Sequence, residues 1–593
     1  MIVLEAAGQR WSPEKIELCL TGLSLLLALG WPRLGGRLFR RIEGKLGELA
    51  LHRRWSVAAV GLSSLFLRLA LLPLIPIPKP FIQDDFSFLL AADTFALGRL
   101  SNPTPALWTH FESFHICMTP TYMSMYFPAQ GLVLAAAKVL TGNAWFGVLA
   151  ATALMCASFC WMLQAWLPAR WALFGGMLAV LHLGLFSYWI NSFAGAGPIA
   201  ALGGALILGA LPRIVRARGR IRWQIPILLA AGIVLVALSR PYEGVLLLLP
   251  VGVVLVRWGL RSSGKPPVAD LVRLSAFPVL MVMAAVGWLG YYDNQVNGNA
   301  LTLPYSINRA TYAVAPYWIW QAPRPEPVYR HQVMRDFYVK RELPIVLDIQ
   351  TPHGFFVQEL CYKPLMVVWF LAGTALIPLV FWLPWALRDR RIRFFVICFC
   401  LWIPGMLIQI FLLPHYIAVF LPALYCVGLQ AMRHLRASGS RRHRTGVALA
   451  RFLTVTVLVM VSLRAFAGPL HLRLNQAATS QWAFDWYGPD DFGERRAKIE
   501  RFLESQPGNQ LVLVRYSAGH ISEDEWVYNG PEIENSKVIW AREMNPSADA
   551  DLLRVYGGRT VWLVEPDAEP ARITAYPGIQ AGGKTSAMPR RTP

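Results

Sequence analysis

The sequence predicts a polytopic α-helical membrane protein of about twelve transmembrane helices with a small C-terminal α/β exoplasmic domain. Three observations predict it. The 593 residues are 55% hydrophobic and only 15% charged, with a mean hydropathy of +0.42, whereas soluble domains carry about 25% charged residues. Apolar runs close to the ~20 residues needed to cross a bilayer recur along the chain. Between them the basic residues gather in short clusters, Arg33 to Arg54, Arg213 to Arg222, Arg257 to Arg273, Arg388 to Arg393 and Arg433 to Arg444, which is the pattern of cytoplasmic loops.

The net charge of +21 is therefore topological and excludes a nucleic-acid partner. Residues 470–593 hold 14 Lys and Arg against 17 Asp and Glu, leaving +24 on the membrane part. Six of the eight cysteines fall inside apolar spans and read as small hydrophobes. Only Cys117 and Cys361 lie in exoplasmic loops, where a disulfide is permitted. No Cys/His spacing matches a metal site, and no cofactor is expected.

Taken in order, the spans are 16–32, 55–77, 127–141, 144–167, 193–211, 224–239, 243–258, 275–292, 365–386, 394–412, 416–431 and 447–466. The first is followed by basic residues and lacks a cleavage site, so residues 1–54 read as a retained anchor and a cytoplasmic loop. Residues 55–467 form the transmembrane unit, with exoplasmic loops at 78–126 and 291–363. Parity forbids counting Trp171 to Ile190 as a full span. It reads as a partial or re-entrant helix running into the polar, Gly-rich stretch Tyr188 to Gly197, and irregular backbone at membrane depth must be buried in protein or line a cavity. Residues 468–572 alternate helical and strand patterns, the signature of an α/β unit on the exoplasmic side. Residues 573–593 read as a disordered tail.

Chemistry points to the outer mouth of the second span, where Asp84 and Asp85 open an amphipathic stretch suited to a helix on the membrane surface. Two readings stand on the residues alone: helix capping, which needs one Asp, or a functional acid pair. Arg240, His415 and Tyr416 sit at exoplasmic helix ends as candidates for binding a phosphate, against a snorkelling anchor for Arg240 and a helix-end hydrogen bond for His415. Arg309 and Lys363 are weaker candidates. His110, Glu112 and His115 lie in a loop without zinc-site spacing and read as surface residues. Tyr305, Tyr312, Tyr317, Trp318 and Trp320 suit an interfacial aromatic belt, or a surface that stacks on a sugar or lines a lipid path.

Four stretches carry a family resemblance. Gln83-Asp84-Asp85-Phe86-Ser87-Phe88 through Gly98-Arg99-Leu100 resembles the Asp-Glu-x-x-Tyr-x-x-x-Ala…Gly signature of the first exoplasmic loop of GT-C membrane glycosyltransferases, in the branch of protein O-mannosyltransferases and lipid A aminoarabinose transferases. Tyr126 to Gly142, Leu238 to Gly244 and Pro414 to Leu424 are similar to three later motifs of that branch, in the same order. The chain departs in having Asp85 for Glu, Phe88 for Tyr and His415 for Arg.

The resemblance implies a GT-C-like transmembrane fold over roughly 55–433 and transfer of a sugar from a polyprenyl phosphate to an acceptor hydroxyl on the exoplasmic face, with inversion. It implies Asp84 as general base, Asp85 as the second choice or an orienting partner, and Arg240, His415 and Tyr416 around the donor phosphate, without metal. The resemblance leaves the acceptor open among protein, lipid and glycan. The expected location is the inner membrane, among its lipids, with the C-terminal domain outside. The competing class is a transporter or flippase, which would place its ionisable residues in mid-span.

Overall fold

The computed structural model describes residues 13–217, 221–261, 267–373, 375–438, 444–466, 469 and 492–577. The expected tail beyond 577, the start of the C-terminal unit at 470–491, and parts of the basic clusters at 218–220, 262–266 and 439–443 lie outside these residues.

The chain is mostly helical, with a small sheet near its C-terminal end. Among the described residues seven helices are long and apolar enough to cross a membrane, or eight if a bent pair counts as one. The difference from twelve has local causes. The expected span 365–386 breaks at Gly373 (φ +52°), and short turns carrying Pro378 and Pro384 follow. The apolar run instead starts earlier, at Pro352, and passes through a π-helical stretch, Phe355–Tyr362. The exoplasmic loop expected to end at 363 is correspondingly shorter. Helices Pro128–Thr141 and Gln224–Ala237 are apolar but only 14 residues each.

The Trp145–Trp166 helix forms an axis for the bundle. Its 22 residues are apolar on every face, as befits a buried helix, and they span about 33 Å at 1.5 Å per residue. Its C-terminal end is basic: Arg213 donates to the Trp161 carbonyl at 2.8 Å, Arg216 to that of Ala165 at 2.8 Å, and the Arg53 carbonyl accepts from Gln164. Glu43 joins the first and last basic segments by pairing with Arg436 and Arg451. The opposite end of that helix meets Ile190 and its neighbours, where the candidate acids gather. The two ends of the bundle are thus chemically distinct, as the loop charges require.

The Gly197–Val215 helix packs closely on its neighbours because glycine allows backbones to approach. A Cβ on Gly204 would lie 2.1 Å from the Val419 carbonyl oxygen. Before this helix, the Ala169–His182 helix stops and residues 183–196 run irregularly through the protein interior. That irregular, protein-buried backbone is where the partial helix was expected to break.

A short hairpin in the 78–126 loop pairs β1 (Ile116–Cys117) with β2 (Met123–Ser124). The C-terminal sheet has the order β4 (Val538–Arg542), β3 (Gln510–Val514), β5 (Thr560–Glu565), β6 (Arg572–Ala575), parallel except for the β5–β6 pair. The last strand occupies the start of the expected tail, because its residues complete the sheet edge against β5. Alternate residues of β3 face opposite ways. Val512 and Val514 pack with Ile499 and Leu503 of the Phe492–Ser505 helix. Leu511 and Leu513 pack with Leu552 and Tyr556, and also with Leu90, Phe111 and Ile116 of the 78–126 segment. Being covered on both faces explains the unbroken apolar strands.

This docking corrects the expectation of a surface helix. The Gln83–Ala96 helix is buried, with Phe86 stacked on Tyr528 at 4.7 Å on one side and Phe88 in an apolar cluster with Leu134 and Trp145 on the other. Arg542 ties the two regions together, donating to the Glu112 carbonyl at 2.6 Å and to the Glu525 carboxylate at 2.6 Å. Cys117 is buried and, like Cys361, free, so the permitted disulfide does not form.

Candidate active site

The Gln83–Ala96 helix starts at Ile82, whose extended backbone forms an N-cap without a side-chain hydrogen bond. Asp84 and Asp85 occupy its first turn, where the exposed backbone N–H groups favour negative charge. Adjacent positions point in different directions around the helix, and the two acids accordingly meet different surroundings. Asp85 is 1% exposed and turned inward, accepting from the Phe193 N–H at 2.8 Å and, at the limit of 3.5 Å, from the Phe81 N–H. It serves the helix start and the irregular segment. Neither acid is the N-cap: Asp85 is occupied by backbone N–H groups outside the helix, which leaves Asp84 unaccounted for.

Asp84 keeps 20% of its side chain exposed. Its Oδ1 accepts from the Tyr126 hydroxyl at 2.5 Å and from His115 Nδ1 at 2.5 Å. A carboxylate only accepts, so the proton between them belongs on Nδ1. Among the described residues Oδ2 accepts no hydrogen bond. His115 is held for this contact in a left-handed backbone (φ +59°), a strained conformation typical of functional sites. Its carbonyl accepts from Ser87 Oγ at 2.6 Å and from the Met125 N–H at 3.1 Å. Phe88 stacks on Tyr126 at 4.5 Å and fixes the phenol ring.

The surroundings drive the two carboxyls apart. Burial raises Asp84, but the His115 charge and the hydrogen bonds from His115 and Tyr126 outweigh it, so Asp84 titrates below its ordinary value. For Asp85 burial dominates over the backbone hydrogen bonds that oppose it, and the Asp84 charge adds to it, so Asp85 is pushed up to about 7. Two acids set apart in this way can take separate roles. At neutral pH Asp84 is the ionised one.

The expected phosphate ligands converge on the same irregular segment. Arg240, in the turn between the Gln224–Ala237 and Pro241–Arg261 helices, donates Nη2 to the Gly195 carbonyl at 3.0 Å. Its guanidinium lies 4.4 Å from the centre of the Tyr416 ring, and among the described residues it pairs with no carboxylate. His415 Nδ1 lies 2.7 Å from the Tyr188 hydroxyl. Gly195 (φ +87°) makes room, since a Cβ there would come 2.8 Å from His415 Nδ1. Asp84 lies within electrostatic reach of His415 and Tyr416. Residues 183–196 are non-helical, which frees the Phe193 N–H for Asp85 and the Gly195 carbonyl for Arg240.

Other candidates are spoken for. Arg309 makes a bidentate pair with Glu342 at 2.9 Å and donates to the Ala315 carbonyl. Lys363 is paired with buried Glu359 at 2.6 Å and donates to the Gln409 carbonyl at 2.5 Å. His110, Glu112 and His115 are buried rather than on the surface, because the C-terminal unit covers their loop. Glu112 accepts from Tyr312 at 2.9 Å and lies 3.3 Å from both Arg330 and His331. Among the described residues no three His, Cys, Asp or Glu are placed to hold a metal.

No family model matches the sequence, and no curated protein matches it. Solved structures show a distant likeness. ArnT from Cupriavidus metallidurans bound to undecaprenyl phosphate is 13% identical with a TM-score of 0.46, over 86% of this chain and 92% of that one. The Archaeoglobus fulgidus oligosaccharyltransferase in its apo form is 10% identical with a TM-score of 0.45, over 86% of this chain and 69% of that one. Likenesses this distant decide neither fold nor function, and the site stands on its own geometry.

His115 and Tyr126 are the functional residues that the sequence does not reveal. They lie 31 and 42 residues from Asp84, in no spacing that periodicity could connect. Two signals exist: Tyr126 opens one of the resembling stretches, and both residues share the 78–126 loop with the acids.

Proposed function

We propose that the protein is an integral-membrane glycosyltransferase of the GT-C type, with about twelve crossings, moving a sugar from a polyprenyl-phosphate donor to an acceptor hydroxyl on the exoplasmic face. The observation that carries this reading is Asp84: ionised, sheltered, anchored through Oδ1 with Oδ2 open, and within electrostatic reach of His415, which in turn feels Arg240. In the proposed reaction Oδ2 takes the acceptor proton while the acceptor oxygen bonds to the anomeric carbon. The bond from that carbon to the phosphate oxygen breaks on the opposite face, giving inversion. A positioned base of this kind contributes about 10²- to 10⁴-fold. Arg240, with the Tyr416 hydroxyl and His415, meets the charge that develops on the departing lipid phosphate. Asp85 holds the helix start and the irregular segment in register, and acts as positioning partner.

A transporter or flippase finds less support. The Glu359–Lys363 pair inside a candidate span is self-neutralised. Proteoliposomes holding the purified protein test the reading with radiolabelled polyprenyl-phosphate sugars: label is expected in acceptor material. Movement of intact donor across the bilayer without transfer contradicts it.

The pH dependence has a defined sign. His115 and Tyr126 lower the Asp84 value, so their stabilisation of the site is present at neutral pH and is lost as pH falls through that lowered value. Removing either partner raises Asp84. Tyr126→Phe and His115→Ala are therefore expected to move the acid limb of the kcat/KM profile to higher pH, His115→Ala by more. Unchanged limbs in both variants exclude Asp84 as the titrating base.

A further inference from the structure

The Gly36–Leu51 helix, at the basic end of the bundle, carries three different faces. One is held by protein. Ala50 is fully buried, Glu43 pairs with Arg436 and Arg451, and Phe39 meets Phe452 edge-on at 6.3 Å. Gly47 lets the helix sit close, since a Cβ there would come 2.7 Å from Arg170 Nε. The helix is thus fixed in position, and its other two faces are turned away from the protein.

The second face is apolar. Leu38, Ile42 and Leu46 recur at every fourth residue and are 61, 45 and 49% exposed, whereas a helix of a soluble protein turns such a stripe toward its core. The third face is basic. Arg37, Arg41 and Lys45 each stand one residue ahead of a member of the apolar row. One residue turns the helix by about 100°, so the basic row runs beside the apolar row along the whole helix. All three side chains are exposed, and among the described residues none pairs with a carboxylate. Arg40 adds a fourth charge on the polar side, and Glu48 alone offsets it. Trp31 and Trp55 flank the segment and are exposed, and indole rings collect at the depth of lipid headgroups.

We propose that this helix lies in the plane of the membrane interface and that its basic row binds the phosphate groups of anionic phospholipids. The inference is independent of the reaction proposed above. A basic amphipathic helix sinks its apolar face about 5–10 Å into the boundary between headgroups and acyl chains. With Leu38, Ile42 and Leu46 there, the neighbouring Arg37, Arg41 and Lys45 reach the level of the phosphates, where long basic side chains snorkel and the guanidinium fork matches phosphate oxygens. Anionic lipid satisfies both rows at once: acyl chains cover the stripe while headgroups neutralise the charges. A second copy of the chain would bury the stripe and leave the positive row beside it uncompensated.

Native mass spectrometry of the delipidated full-length protein, titrated with dioleoylphosphatidylglycerol and with dioleoylphosphatidylcholine, tests the proposal. Wild type is expected to hold phosphatidylglycerol the more tightly. Arg37→Gln, Arg41→Gln and Lys45→Gln combined are expected to weaken phosphatidylglycerol binding about 10- to 100-fold and to leave phosphatidylcholine binding nearly unchanged. Arg37→Lys with Arg41→Lys keeps the charge and is expected to keep the preference. Arg388→Gln, Arg390→Gln and Arg391→Gln combined remove three exposed arginines from another basic cluster, and are expected to keep it as well. An undiminished preference in the 37/41/45 variant, or no preference in wild type, overturns the site. An equal loss in the 388/390/391 variant reduces the effect to net charge, and an equal loss in the lysine variant reduces it to a defect of the helix, and either overturns the site too.

Discussion

Asp84→Asn is expected to lower kcat by about 10²- to 10⁴-fold, with the KM for the lipid donor little changed. The amide preserves size and can still accept at one atom, but it cannot take a proton from the incoming alcohol. Asp85→Asn is expected to behave differently. Burial pushes its carboxyl up to about 7, and both its oxygens face backbone N–H groups. Its replacement should act mainly on stability and on the register of residues 183–196. Radiolabel transfer in proteoliposomes, measured for both variants beside wild type, separates the roles. Full activity in Asp84→Asn removes the base, and a loss in Asp85→Asn equal to that in Asp84→Asn removes the division of labour.

The second large effect lies outside the chemistry. Arg542 is buried with Glu525, which is fully enclosed, and it also holds the Glu112 carbonyl three residues before His115. Removing one partner from a buried pair costs about 3–5 kcal/mol, because the remaining charge stays uncompensated. Arg542→Met is therefore expected to destabilise the docking of the C-terminal sheet on the first exoplasmic loop by that amount. Activity should fall with it, since the loop positions His115. Adding Glu525→Gln removes the stranded charge and should restore part of the stability. Thermal unfolding of the two variants, with limited proteolysis of the 78–126 loop, measures this. If both leave the loop as protected as in wild type, the C-terminal unit does not hold the site.

How far the sequence led can be judged residue by residue. Asp84 stood out because two adjacent acids at a helix mouth are rare in an apolar chain. Arg240, His415 and Tyr416 stood out because each ends an apolar run, and the fold brings them to one place. What separated Asp84 from Asp85 was invisible, since it depends on Phe193, His115 and Tyr126 arriving from three other parts of the chain. Arg309 and Lys363 looked available because their partners Glu342 and Glu359 carry no mark in the sequence of what they will bind. The 110–115 loop looked exposed because its cover is built more than 400 residues later, by β3, β4 and Arg542. Gly373 and the prolines after it interrupt the apolar run expected over 365–386, since composition records apolarity but not continuity of the helix.

The central claim is that Asp84 and Arg240 flank a single reaction centre, one taking a proton and the other receiving a lipid phosphate. A structure of the protein with a polyprenyl-phosphate sugar bound tests it most directly. The account predicts the phosphate on the Arg240 guanidinium and the Tyr416 hydroxyl, with the anomeric carbon facing Asp84 Oδ2 across a gap that admits one hydroxyl. A phosphate seated instead on Arg68 or Lys363, with Asp84 remote from the anomeric carbon, contradicts it.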